Sequence, residues 1–253
     1  MNSESIHQDH DFQHKKTAYF QDFMMRHLPQ ARMHRTYGLF VEKGSKELRN
    51  VVRHELLCAV MTETIGELLN LPEDDIVNLT NVALTHDVTK RREQEQLTRG
   101  EEISLELRKT DRPLVATSSN FTDFANWGIA EYILRYVDSS VGEDPKDPQT
   151  GHWYGRRDPK HLPKVLIVPW QQRVDLFKEK KVEEGNAGIP LYGMTTWEKL
   201  EDIMSIIESD LFERITARDE ALKRTYTHSS QLTQLIEDRI HQKIEGHKSP
   251  TTV

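Results

Sequence analysis

The chain has 253 residues, enough for a sizeable core in one large domain or in a domain with appendages. Charged residues make up 30% and hydrophobic ones 36%, the balance of a soluble, rather polar protein, and the formal net charge of -7 argues against general nucleic-acid binding, which needs a basic face. The single cysteine, Cys58, cannot close an internal disulfide, no apolar run approaches the ~20 residues of a membrane span, and the opening MNSESIHQDHDFQHKK has no signal-peptide core, so a cytoplasmic protein with no membrane partner is expected.

The pattern is helical almost throughout. The N-terminal 30 residues read as one amphipathic helix around Tyr19, Phe20, Phe23, Met24 and Leu28. From Lys46 to Leu71, Leu48, Val51, Val52, Leu56, Val60, Ile65, Leu68 and Leu69 recur at spacings of three and four, and Leu71-Pro72 ends that helix. Pro72-Glu73-Asp74-Asp75 opens the next, with proline and acids where a helix N-terminus favours them, and Ile76, Leu79, Val82, Ala83 and Leu84 carry it to His86. A charged stretch, KRREQEQLTRGEE, precedes a short helix over Ile103 to Lys109 that Pro113 ends. A further helix is predicted from Asp123 to Val141, with Glu131 and Arg135 as a surface pair. The loop GEDPKDPQTGHWYGRRDPKHLP is the best candidate boundary. Val165 to Lys181 reads as mostly helix, although Val165-Leu166-Ile167-Val168 alone passes for a short strand. Gly185 to Gly193 is a loop, Thr196 to Ile215 a helix, and the remainder a polar helix with a frayed tail, SPTTV.

Three of these helices carry residues suited to a metal. Imidazole and carboxylate are good ligands for divalent ions, and a bundle can aim them from separate helices at one interior point. His54 lies between Val52 and Leu56 on an apolar helix, where a polar ring needs a partner. His86-Asp87 closes the second apolar helix. Neighbours on a helix point about 100° apart, so both reach one ion only near a helix end, and this pair is at one. Asp138 follows Tyr136-Val137 in the third. Against this stands the ordinary account of each residue: twelve histidines make a chance His-Asp pair common, and an Asp at a helix end is usually solvated.

The segment RHELLCAVMTETIGELLNLPEDDIVNLTNVALTHDVTK is similar to the opening of a protein of the HD superfamily of metal-dependent phosphohydrolases, and the resemblance extends over roughly residues 44–142. It implies an all-α, HD-like helical bundle with additional N- and C-terminal helices. It divides the chain into an extension over 1–43, a metal-binding domain over 44–180 and a C-terminal helical region over 181–253 packed on the same domain. It also implies a ligand set of His54, His86, Asp87 and Asp138 around one divalent ion (Mn, Fe, Co, Ni, Zn or Mg). Thr89 stands where the family has glycine, and Asp175 in Arg173-Val174-Asp175-Leu176 is a second candidate for the last ligand. Histidine is missing between His86 and His152, where dinuclear members of the superfamily place extra ligands, so a mononuclear site is the expectation.

A metal-bound water supplies a nucleophile at neutral pH, and a phosphate ester needs cationic neighbours. Asp87 and Lys90 are the candidate catalytic residues, and Lys90 and Arg91 the candidate substrate contacts; solvated basic residues at a helix end are the alternative for Lys90, Arg91 and Arg92. His152, Trp153, Tyr154, Arg156 and Arg157 suit either a nucleotide-binding lid or a plain surface loop. The expected substrate is a small phosphorylated, nucleotide-like molecule. The rivals are a non-catalytic nucleotide- or protein-binding module of the same fold, an iron-dependent oxygenase, and a helical interaction protein in which the His-Asp pair is accidental. Apolar residues of the terminal helices suit a homo-oligomer as well as packing within the chain.

Overall fold

The computed structural model describes residues 3–36, 46–87, 121–144, 164–183 and 197–247. The chain starts with α1, Ser3–Arg26, and α2, Leu28–Thr36. The single N-terminal helix expected from the apolar pattern is thus broken at His27. Pro29 explains the break: it has no N–H to continue α1 and is well placed in the first turn of a new helix. Tyr19 and Phe23 of α1 are buried.

Helix α3, Lys46–Leu68, is the centre of the molecule. Every residue from Cys58 to Gly66 is buried, because α3 packs against the last described helix (Leu232–Gly246), against α4 (Glu73–Ala83), against α5 (Ile129–Ser140) and against the strands Val141–Asp144 and Lys164–Ile167. It ends in a left-handed cap. Asn70 takes φ 49°, its N–H bonds to the Glu67 carbonyl at 2.9 Å, and Leu71 N–H reaches back to the Gly66 carbonyl at 3.0 Å. Pro72 then enters α4, whose first turn carries Glu73, Asp74 and Asp75 against the positive end of the helix dipole. Gly66 allows the close crossing of α3 and α4, since a Cβ there would lie 2.9 Å from Ile76 Cγ1.

Two features after α4 differ from the sequence expectation. The helix predicted from Asp123 is a 3₁₀ turn, Phe121–Asn126, followed by α5 starting at Ile129. Gly128 breaks the pattern, and its N–H is capped by the Glu131 carboxylate at 3.0 Å. Glu131 therefore does not pair with Arg135, which is buried. Second, Val141–Asp144 (β1) and Lys164–Ile167 (β2) form an antiparallel pair with Val141 opposite Ile167. The strand alternative for Val165–Ile167 is the one the chain adopts, with α6 (Trp170–Glu183) following it. A further bond from Val168 N–H to the Ser140 carbonyl, 2.8 Å, seats the start of α6 against the end of α5.

The described residues from 197 onwards form α7, Trp197–Thr216; α8, Glu220–Thr225; a 3₁₀ turn, Ser229–Gln231; and α9, Leu232–Gly246. α9 is not the polar helix expected, because Leu232, Leu235, Ile236, Ile240 and Ile244 form a buried stripe on it. The fold is all-α with one small two-stranded sheet among the described residues. One apolar core runs through it, from Tyr19 and Phe23 through Met61 and Ile65 to Ile207, Ile236 and Ile244. Each such side chain contributes about 1.5–3 kcal/mol on burial. Among the described residues no helix is long and apolar enough to cross a membrane. The predicted helix Ile103–Lys109, the residues 145–163 of the boundary loop and the SPTTV tail lie outside the described residues.

Candidate metal centre

His54 projects from the middle of α3, four residues before Cys58, so the two side chains share one helix face. Its Nε2 lies 3.1 Å from Asp138 Oδ1 and 3.6 Å from Cys58 Sγ. Asp138 comes from the last turn of α5. His86 comes from the turn past α4, where bonds from Leu84 N–H to the Thr80 carbonyl and from Thr85 N–H to the Val82 carbonyl close the helix. Leaving regular helix there frees His86 and Asp87 from the fixed angle between adjacent helical side chains.

The His86 ring is held from behind. Its Nδ1 donates to the Ala83 carbonyl at 2.7 Å; a carbonyl only accepts, so that nitrogen keeps a proton in either charge state. Nε2 is thereby turned to the centre, where it is fully buried, 3.6 Å from Asp138 Oδ1, and without a hydrogen-bond partner among the described residues. A second nitrogen fixed in this way is the usual orientation of a metal-binding histidine. The two histidine rings are 5.3 Å apart between centroids. The ligand-capable atoms of His54, Cys58 and His86 all lie within 4.8 Å of one another.

Asp138 is also the focus of two arginines. Arg135, one turn earlier on α5, donates through Nη2 to Asp138 Oδ2 and through Nε to Ser139 Oγ at 3.1 Å. Arg173 of α6 places Nη2 3.7 Å from Asp138 Oδ1 and gives Nη1 to the Val141 carbonyl. Burial opposes the charge on Asp138, but Arg135, the two histidines and Arg173 hold its carboxyl well below the usual range. Burial, helped by Arg173 and His86, pulls His54 down to about 4, so its ring is neutral. His86 is buried too, yet Asp87, Asp138 and Glu55 outweigh that and push it up to about 9. Burial raises the Cys58 thiol well above its ordinary value, and the thiol contacts the Val137 carbonyl at 3.6 Å.

Of the four ligands that the resemblance implies, His54, His86 and Asp138 come together. Asp87 is beside them, its N–H bonded to Glu55 Oε1 at 2.9 Å; neither its carboxylate nor that of Asp138 is in the His54–Cys58–His86 cluster of ligand atoms. Asp175 is exposed on α6. Lys90, Arg91, Arg92, His152, Trp153, Tyr154, Arg156 and Arg157 lie outside the described residues. Three neighbours went unassigned in the sequence. Cys58 had a signal, its i,i+4 spacing from His54, and Arg135 had one in its i,i+3 spacing from Asp138. Arg173 had none, because it reaches Asp138 through the packing of α6 on α5 and β1.

The donor set suits a divalent ion: two imidazoles and a thiol whose ligand atoms lie within 4.8 Å of one another, with the Asp138 carboxylate against both imidazoles. Comparison of the chain with protein-family models, with curated proteins and with solved structures finds no match.

Proposed function

We propose that the chain is a metal-dependent phosphohydrolase of HD type, acting on a small phosphorylated, nucleotide-like substrate. The reading is carried by the convergence of His54, His86 and Asp138 from α3, the turn after α4, and α5, with Asp138 Oδ1 3.1 and 3.6 Å from the two imidazole nitrogens. His54, His86 and Asp138 would hold the ion, with Asp87 adjoining. When bound, such an ion lowers the pKa of a coordinated water and polarises a phosphoryl oxygen.

The chain's own residues have separate tasks. Ala83 and Asp138 orient the His86 ring. Arg135, buried on the far side of Asp138, keeps that carboxylate ionised and aimed at the histidines. Arg173 places Nη2 3.7 Å from the same carboxylate and Nη1 on the Val141 carbonyl, which adds a second fixed positive charge beside Asp138. Lys90 and Arg91 are proposed as further phosphate contacts, and Asp87 as the acid or base beside His86.

One observation favours a second reading, a non-catalytic binding module of the same fold: Arg135 and Arg173 already neutralise Asp138 without an ion. Elemental analysis of untagged protein and a hydrolysis screen against nucleotides and sugar phosphates distinguish the two. Wild type and Asp175→Ala should carry about one metal per chain and hydrolyse at least one substrate. His86→Gln and Asp138→Asn should lose the metal and about 10²-fold or more in rate. Metal-free wild type after reconstitution with Mn, Fe, Co, Ni, Zn and Mg overturns the hydrolase reading; bound metal without turnover favours the binding module.

A further inference from the structure

We propose that Cys58 is a thiolate ligand of this centre, so that the ion it takes is one that accepts sulfur, zinc or ferrous iron, in preference to magnesium or manganese. The inference rests on the metal-centre reading above and narrows it to a metal class. The ligand set that the HD resemblance implies contains only nitrogen and oxygen.

Three observations carry it. Cys58 is fully buried one turn after His54, with Sγ 3.6 Å from His54 Nε2 and within 4.8 Å of the ligand atom of His86. In tetrahedral coordination with bonds of about 2.0–2.3 Å, ligand atoms stand roughly 3.3–3.8 Å apart. The Cys58–His54 separation of 3.6 Å matches such an edge, and the ligand atom of His86 lies within 4.8 Å of both, a short closure from one. The fully buried Nε2 of His86 has no hydrogen-bond partner among the described residues and comes from a different segment. The cluster is therefore not a property of α3 alone. The thiol's hydrogen-bond contact in the other direction, the Val137 carbonyl at 3.6 Å, is weak and does not compete with coordination.

Two imidazoles and a thiolate make a three-ligand set that leaves a fourth position for Asp138 or for water. Thiolate is a poor ligand for magnesium and manganese and a good one for zinc and iron. Binding would break the Cys58 S–H bond and the His86 Nε2–H bond: sulfur and nitrogen keep the electron pairs as ligands, and both protons leave to solvent.

The test uses the full chain loaded with cobalt(II), followed by absorption spectroscopy and elemental analysis. Cys58 is the sole cysteine, so any near-ultraviolet sulfur-to-cobalt charge-transfer band reports it alone. Wild type should bind about one cobalt with that band. Cys58→Ser should lose the band and bind cobalt about tenfold or more weakly, since even partners outside the ligand set cost that much. Magnesium in large excess should not displace the cobalt, and zinc should. If Cys58→Ser does not fold, the wild-type band decides alone. Bound cobalt without the band overturns the Cys58 assignment and leaves the metal centre standing on His54, His86 and Asp138. Failure of wild type to bind cobalt overturns both.

Discussion

At the scale of the residue, Asp138 shows how much of a site is its supports. Two guanidiniums and two imidazoles converge on one carboxylate, and the balance sets which of them is charged. Arg135 is the buried member, and breaking such a pair strands a charge away from water. Arg135→Met should cost about 3 kcal/mol in urea denaturation; an unchanged midpoint would show that Asp138 finds another partner. Glu208 is a second buried carboxyl, on α7, whose Oε2 accepts from Gln171 Nε2 at 3.3 Å. Burial raises it above its ordinary value, with the Trp170 and Gln171 hydrogen bonds pulling the other way. A carboxyl raised in the folded state contributes stability below its unfolded pKa, and loses it as pH rises through the folded one. Glu208→Gln should therefore be more stable than wild type at about pH 7 and no more stable at about pH 4. Thermal denaturation at the two values checks it.

The helix crossings belong to the scale of the element. Gly66 stands in α3 where alanine would ordinarily stabilise a helix by about 1 kcal/mol. Here the new Cβ would lie 2.9 Å from Ile76 Cγ1, one bond from Cβ of a β-branched residue whose χ1 is restricted in a helix. Gly66→Ala should therefore destabilise by about 1–3 kcal/mol. Adding Ile76→Ala should recover part of that loss, and a double-mutant cycle on the denaturation midpoints measures the coupling. The crossing matters to the site because α4 delivers His86 to α3, and Glu55 Oε1 holds the next N–H, that of Asp87.

For the whole molecule, one charged cluster ties both terminal helices to the centre. Glu63 of α3 accepts from Arg26 of α1 at 2.5 Å and from Lys243 of α9 at 2.8 Å, and Lys243 also reaches Glu67 at 2.9 Å. Burial works against the Glu63 charge, but Arg26 and Lys243 overcome it and lower its pKa. A carboxyl lowered on folding contributes stability above its unfolded pKa of about 4.3, which is lost as pH falls through the folded value. Glu63→Gln should be less stable than wild type at neutral pH, with the difference closing in acid. Hydrogen exchange in α1 and α9 should rise in the variant; equal protection in both proteins would show that the apolar stripe of α9 holds the termini without the ion pairs.

What could be read from the chain alone was what short-range periodicity encodes. Spacings of three and four define α3, α4 and α7, because one apolar face per helix is enough to specify them. His54, His86 and Asp138 were visible as polar groups inside or closing apolar helices. Local chemistry could also have shown the break at Pro29 and the start of α5 at Gly128, where a helix-opening residue competes with an apolar pattern running through it. The buried stripe of α9 was diluted by the charges on its other face. Other features depend on contacts between segments far apart in sequence. Whether Val165–Ile167 is strand or helix depends on β1 being there to pair with it. Arg173 reaches Asp138 through the packing of α6 on α5 and β1. His86 meets Cys58 only because α3 and α4 cross at Gly66. Periodicity says which face of a helix is buried; packing alone decides what that face meets.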